Sequence, residues 1–119
     1  MNLEAAPPSS SRIVLKTGRG STVLSLDRIQ YISAANTCSE VVTIEGSFNV
    51  RENLTSMARK LPGDRFVRVS RFTVVNLAHI ASVRPKSHGD QYLFLRSGVQ
   101  VMVSRTHRAR VMDLLRQGC

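Results

Sequence analysis

The chain has 119 residues, of which 42% are hydrophobic, and it carries 17 Lys plus Arg against 8 Asp plus Glu for a net charge of +9. That length suits one domain and is short for two sizeable cores. No apolar run reaches the roughly 20 residues of a membrane-spanning helix. The opening MNLEAAPPSSSR also lacks the basic-then-apolar order of a secretion signal. A cytoplasmic protein without membrane insertion is therefore expected, with residues 1–11 as a Pro/Ser-rich lead-in or linker. With two Tyr, four Phe and no Trp, the core must be mainly aliphatic.

From Arg12 the pattern is one of strands. RIVLKT and STVLSL are short β-rich runs separated by the hairpin-type break Gly18-Arg19-Gly20. LDRI is a brief turn feeding the strand QYISA. Ala35-Asn36-Thr37 then forms a loop before SEVVTI, with Cys38 at its entrance. After the turn Glu45-Gly46-Ser47, Phe48-Asn49-Val50 resumes the strand pattern. Val50, Leu54, Met57, Ala58 and Leu61 are spaced as one apolar stripe of a helix. The spacing predicts Asn49 as its N-cap, Glu52 as the partner of a capping box and Pro62-Gly63 as its end.

The following stretch, FVRVSRFTVVNLAHIASV, reads as buried strand material, yet Arg65, Arg68 and Arg71 recur at every third position at its start. A guanidinium is always charged and is costly to bury. A polar turn, Arg84 to Asp90, leads to the hairpin QYLFLR and VQVMVS about Ser97-Gly98. SRTHRARVMDLLRQ closes the chain as a helix capped by Ser104, with Val111, Leu114 and Leu115 inward and a tail at residues 117–119. The fold class expected is β-rich α/β, made of elongated antiparallel β-sheets with two short helices.

Catalytic and metal chemistry find little support. His79, His88 and His107 are far apart in sequence and match no ligand spacing, and no two acids are placed for acid/base work. Cys38 and Cys119 belong to no CxxC pair and are expected as free thiols. Gly18-Arg19-Gly20 lacks the glycines and following helix of a phosphate loop. No enzyme activity, metal or cofactor is expected.

The charge is more informative. Arg greatly outnumbers Lys, which occurs only at Lys16, Lys60 and Lys86. Arg offers planar, bidentate hydrogen bonding to phosphates and guanine edges. Arg105 falls at a helix start, where acids are normally favoured by the macrodipole. Two readings are open for it: a pair with a carboxylate such as Asp113, or a phosphate partner. Arg68 either snorkels across an apolar face or faces a polyanion. An RNA-binding module needs stacking aromatics on a basic face, and Tyr31, Tyr92 and Phe72 are scattered in sequence. A module that binds an acidic protein is a further alternative.

RFVRVSRFTVVNLAHIASV, followed by LRSGVQVMVSRTHRARVMDLL, resembles the carboxy-terminal half of a LytTR DNA-binding domain, the LytR/AlgR-type module of bacterial response regulators. The residues carrying the resemblance are Phe66, Arg68, Ser70, Arg71, Val75, Asn76, Ile80, Gly98, Val103, Ser104 and Arg105. LDRIQYISAANTCSEVVT and FNVRENLTSMARKLPGDRF resemble the amino-terminal half, so the likeness covers residues 12–116. Ser70 replaces the family's frequent His, Phe72 its usual Ser or Thr, and Asn36-Thr37-Cys38 a Gly-Asn-Tyr type loop.

The resemblance implies a transcriptional regulator that reads two successive major grooves of duplex DNA through loops and strand ends, typically at paired or repeated sites, with RNA polymerase as a further partner. It implies base contacts from Arg71, Arg105 and Ser39, and phosphate contacts from Ser70, Thr106, Arg108 and Thr37.

Overall fold

The computed structural model describes residues 12–18, 20–86 and 90–117. The expected lead-in, the Arg19 position of the first hairpin break, His88 and Cys119 lie outside the described residues. The body is elongated, 48 × 36 × 24 Å along its principal axes.

Among the described residues ten strands and two helices follow one another. A hairpin of β1 (Arg12–Thr17) and β2 (Gly20–Ser25) is followed by a 3-10 turn, Leu26–Arg28. Next come β3 (Ile29–Ala35), β4 (Cys38–Thr43), β5 (Gly46–Val50) and helix α1 (Leu54–Lys60). β6 (Phe66–Ser70) and β7 (Thr73–Asn76) precede a second 3-10 turn, Leu77–His79. β8 (Ile80–Pro85), β9 (Gln91–Leu95), β10 (Gln100–Val103) and α2 (Arg105–Gln117) complete the chain. The central sheet has the order β5-β4-β3-β7-β6, a second sheet has β10-β9-β8, and every strand pairing is antiparallel.

The central sheet is covered on both faces, and its sequence shows why. Successive strand residues point to opposite faces, so consecutive apolar residues require burial on both sides. Phe66 and Val74 join Ile13, Leu15, Leu26, Ile29, Ile32, Val41 and the α1 residues Leu54 and Met57 in one cluster. Their neighbours Val67 and Val75 join Val69, Leu93, Leu95, Val101, Val103, Val111 and Leu114 in another. One chain of ordinary domain length thus builds two aliphatic clusters, separated by the sheet that both share.

Two expectations are corrected by the structure. The stretch after Gly63 is broken into three strands, by the Arg71-Phe72 turn and by the 3-10 turn at Leu77–His79. Helix α1 starts at Leu54, and its cap is Asn53, whose Oδ1 accepts the Ser56 N–H at 2.8 Å. Asn49 lies inside β5 opposite Glu40. Val50 faces the same cluster as Leu54 from the end of a strand, so its spacing imitates a helical stripe. The Glu52 carboxylate pairs with Lys60 at 2.7 Å instead of closing a capping box.

Asn76 ties the two 3-10 turns together. It is 1% exposed; its Nδ2 donates to the carbonyls of Leu26 (3.2 Å) and Ile29 (2.9 Å), and its Oδ1 accepts the Ala78 N–H at 3.0 Å. The chain leaves the central sheet for the second sheet at this point.

Candidate nucleic-acid interface

The three regularly spaced arginines have three different surroundings. Arg65 pairs with Asp27, beside the first 3-10 turn. Arg68 turns back over its own chain: Nε donates to the Ser70 carbonyl at 3.0 Å and Nη2 to the Arg71 carbonyl at 2.9 Å. Arg71 is exposed on the β6–β7 turn, where its guanidinium carbon lies 5.3 Å from the centroid of the Phe72 ring. Among the described residues no carboxylate pairs with Arg71. Of the three, then, only Arg71 is positioned for an external partner.

The turn itself is firmly made. Ser70 Oγ accepts the Phe72 N–H at 3.1 Å, which leaves its hydroxyl hydrogen available to donate outward. The ladder between β6 and β7 shifts register between Arg68 and Ser70. An irregularity of this kind re-aims the side chains that follow it.

Two backbone hydrogen bonds bring other segments to this turn. The Ser104 N–H donates to the Val69 carbonyl at 2.8 Å, which sets the start of α2 beside the end of β6. The Ala34 N–H donates to the Phe72 carbonyl, also at 2.8 Å, which sets the β3–β4 turn on the other side. In that turn Asn36 has φ +59°, a left-handed conformation that Asn tolerates better than most residues. Asn36 and Thr37 are both exposed.

At the start of α2, Arg105, Thr106 and Arg108 are exposed. Ser104 Oγ lies 2.7 Å from His107 Nδ1, and the Ser104 carbonyl accepts the His107 N–H. The Arg105 carboxylate partner is Asp90, at 3.8 Å with 68% of the Arg105 side chain exposed, whereas Asp113 pairs with Arg116. A pair so long and so exposed is worth about 0–1 kcal/mol, and a stronger acceptor can displace it.

Ser39 does not fit the contact expected of it. It is fully buried, and its hydroxyl donates to the Glu52 carbonyl at 2.6 Å. Along β4 the inward positions are Ser39, Val41 and Thr43. Ser39 therefore faces the interior while Asn36 and Thr37 occupy the surface of the turn. A base edge cannot reach it without dismantling the strand end.

Between the β6–β7 turn, β10 and the start of α2 lies an open cleft of about 690 Å³. Ser70, Arg71 and Thr106 line it together with Gln100 and Met102 of β10. Sequence reading did not single out these last two. Their signal is the alternation in β10, where Val101 and Val103 are buried and Gln100 and Met102 are exposed. The cleft also gathers Tyr31 and Phe72, although they are far apart in sequence, while Tyr92 packs with Lys86 elsewhere.

Other chemistries find no cluster of groups. Among the described residues no three His, Cys, Asp or Glu side chains could hold a metal ion. His79 Nε2 contacts the Asp27 carbonyl at 2.6 Å, whereas His107 contacts Ser104. No helix among the described residues is long and apolar enough to cross a membrane.

Comparison with known proteins agrees with the fold. The chain is 28% identical over 104 residues to the sensory transduction protein LytT of Bacillus subtilis (strain 168), a match covering 87% of this chain and 43% of that protein. It is 26% identical over 105 residues to the protein of the same name from Bacillus anthracis, covering 88% and 43% respectively. The chain thus spans less than half the length of these relatives. A solved LytTr DNA-binding domain from Bacillus cereus superposes with a TM-score of 0.77 at 28% identity, covering 88% of this chain and 96% of that one. The family model for the LytTr DNA-binding domain matches residues 19–116, all three converging segments included, and the chain belongs to that family.

Proposed function

We propose that this domain recognises specific duplex DNA sequences and regulates transcription by reading two successive major grooves. The observation that carries the reading is the convergence of the β3–β4 turn, the β6–β7 turn and the start of α2, joined through the Ala34–Phe72 and Ser104–Val69 backbone bonds. Arg71 and Arg105 read base edges in one groove, each with the bidentate geometry that suits guanine O6 and N7. Asn36 and Thr37 approach the next groove from the β3–β4 turn. Thr37, Ser70, Thr106 and Arg108 hold phosphates and so fix the register without carrying sequence information. The net charge of +9 favours encounter with the polyanion and makes affinity salt-dependent. Paired or repeated sites and contact with RNA polymerase belong to the same proposal, as does action in the cytoplasm without enzymatic activity.

The test is a set of three variants assayed on a selected duplex and on its single-base variants. Arg71→Ala and Arg105→Ala each lose discrimination at one base pair, by about 1–3 kcal/mol. Arg108→Ala weakens every duplex alike. Identical behaviour of all three would contradict the division between base readers and phosphate holders.

A further inference from the structure

Phe72 has an exposure out of keeping with its chemistry. It is 60% exposed at the tip of the β6–β7 turn, and its ring lies beside the Arg71 guanidinium, with the guanidinium carbon 5.3 Å from the ring centroid. The turn that carries it is fixed by the Ser70 Oγ contact to the Phe72 N–H and by the Ala34 N–H bond to the Phe72 carbonyl. The ring is therefore an apolar surface at a fixed place, beside a cation that pairs with no carboxylate among the described residues.

We infer that Phe72 is a specificity-determining residue that contacts the 5-methyl group of a thymine adjacent to the base read by Arg71. This rests on the DNA-reading role proposed for Arg71. An Arg engaged with a guanine edge lies in the plane of that base, and a ring stacked against the guanidinium then faces the neighbouring base pair. In the major groove the one apolar feature that distinguishes a base pair is the thymine methyl, and Phe is among the side chains that suit it. Met102, 55% exposed, adds a second apolar side chain to the same cleft.

The experiment replaces thymine by deoxyuridine, one position at a time, in a duplex selected from a random pool. Each duplex is titrated with the unaltered protein, with Phe72→Ser and with Phe72→Leu. Loss of one methyl contact corresponds to about a fourfold loss of affinity, since each buried methylene-sized group and each tenfold step have known free energies. The unaltered protein loses about that factor at one thymine, next to the base pair whose discrimination depends on Arg71. Phe72→Ser does not distinguish thymine from deoxyuridine there, and Phe72→Leu retains part of the distinction.

Equal binding of the thymine and deoxyuridine duplexes at every position by the unaltered protein overturns the inference while leaving sequence reading by Arg71 intact. So does an unchanged methyl dependence in Phe72→Ser. Failure of the pool to yield any preferred sequence overturns both this inference and the proposed function. The comparison of the two duplexes by the unaltered protein requires no variant to fold.

Discussion

Arg68 holds the backbone that presents Arg71: its Nη2 donates to the Arg71 carbonyl at 2.9 Å while its Nε donates to the Ser70 carbonyl at 3.0 Å. Two arginines three residues apart thus divide the work of one turn. The first donates to two carbonyls of the turn, and the second is exposed. A charged donor in each bond makes both stronger than neutral hydrogen bonds.

Arg68→Met keeps the aliphatic stem and removes both bonds. It destabilises the domain by about 1–3 kcal/mol, the range for hydrogen bonds from a charged group. It also weakens specific binding, although Arg71 is untouched. A double-mutant cycle checks the mechanism: in the Arg71→Ala background, Arg68→Met causes little further loss of discrimination. Fully additive losses on specific duplexes would mean that Arg68 acts on DNA independently of the turn.

Ser39→Ala separates a buried structural role from base reading. The variant removes the donor to the Glu52 carbonyl and lowers stability by about 1 kcal/mol. Thermal or denaturant unfolding measures that loss. The selected DNA sequence stays the same. A changed base preference with unchanged stability would restore Ser39 to the surface role that its burial argues against.

Asn76→Leu has a larger effect on the fold. The substitution removes the buried donor to the carbonyls of Leu26 and Ile29, of which Leu26 keeps the Ile29 N–H, and the acceptor of the Ala78 N–H. Leaving buried polar groups unpaired costs about 1–3 kcal/mol for each group, so a loss of about 3 kcal/mol or more is expected in denaturant unfolding. Asn76→Asp keeps the acceptor for Ala78 but loses both donors, and destabilises as well. Stability within about 0.5 kcal/mol of the unaltered protein would show that the two 3-10 turns are held by other contacts.

The strands were readable because alternation and turn residues agreed. β1 with β2, and β9 with β10, stand where their β-branched runs and glycines place them. The two-faced burial of β6 and β7 was also present in the sequence, in the adjacent pairs Phe66-Val67 and Val74-Val75. The start of α1 was misread because Val50 and Leu54 face one cluster from different elements, which spacing alone does not distinguish. Asn53, followed three residues later by Ser56, was the true cap. Ser39 was named as a base contact through the family resemblance, against the alternation of its own strand. Ser39, Val41 and Thr43 fall at every second position, on the inward face, and the Ser39 hydroxyl finds a partner only through the folded chain at Glu52.

The roles of the three arginines were not legible in the same way. Their spacing of three identifies neither a strand face nor a helix face, and it is the break at Arg71-Phe72 that sends them in different directions. Asp27 is 38 residues from Arg65 in sequence, so that pairing emerges only once β6 and β7 join the central sheet. The convergence of three segments at one end of the sheet likewise depends on long-range backbone bonds, from Ala34 to Phe72 and from Ser104 to Val69.

The most direct measurement is selection from a randomised duplex pool, followed by titration of the winner and a scrambled control at several salt concentrations. Two-groove reading predicts two short preferred blocks about one helical turn apart, roughly 10 base pairs between centres. It also predicts much tighter binding of the winner than of the scramble, with log affinity falling against log salt by about 0.9 for each phosphate neutralised. A pool that yields no preferred sequence, with equal affinity for winner and scramble, would contradict it and reduce the +9 charge to generic polyanion binding.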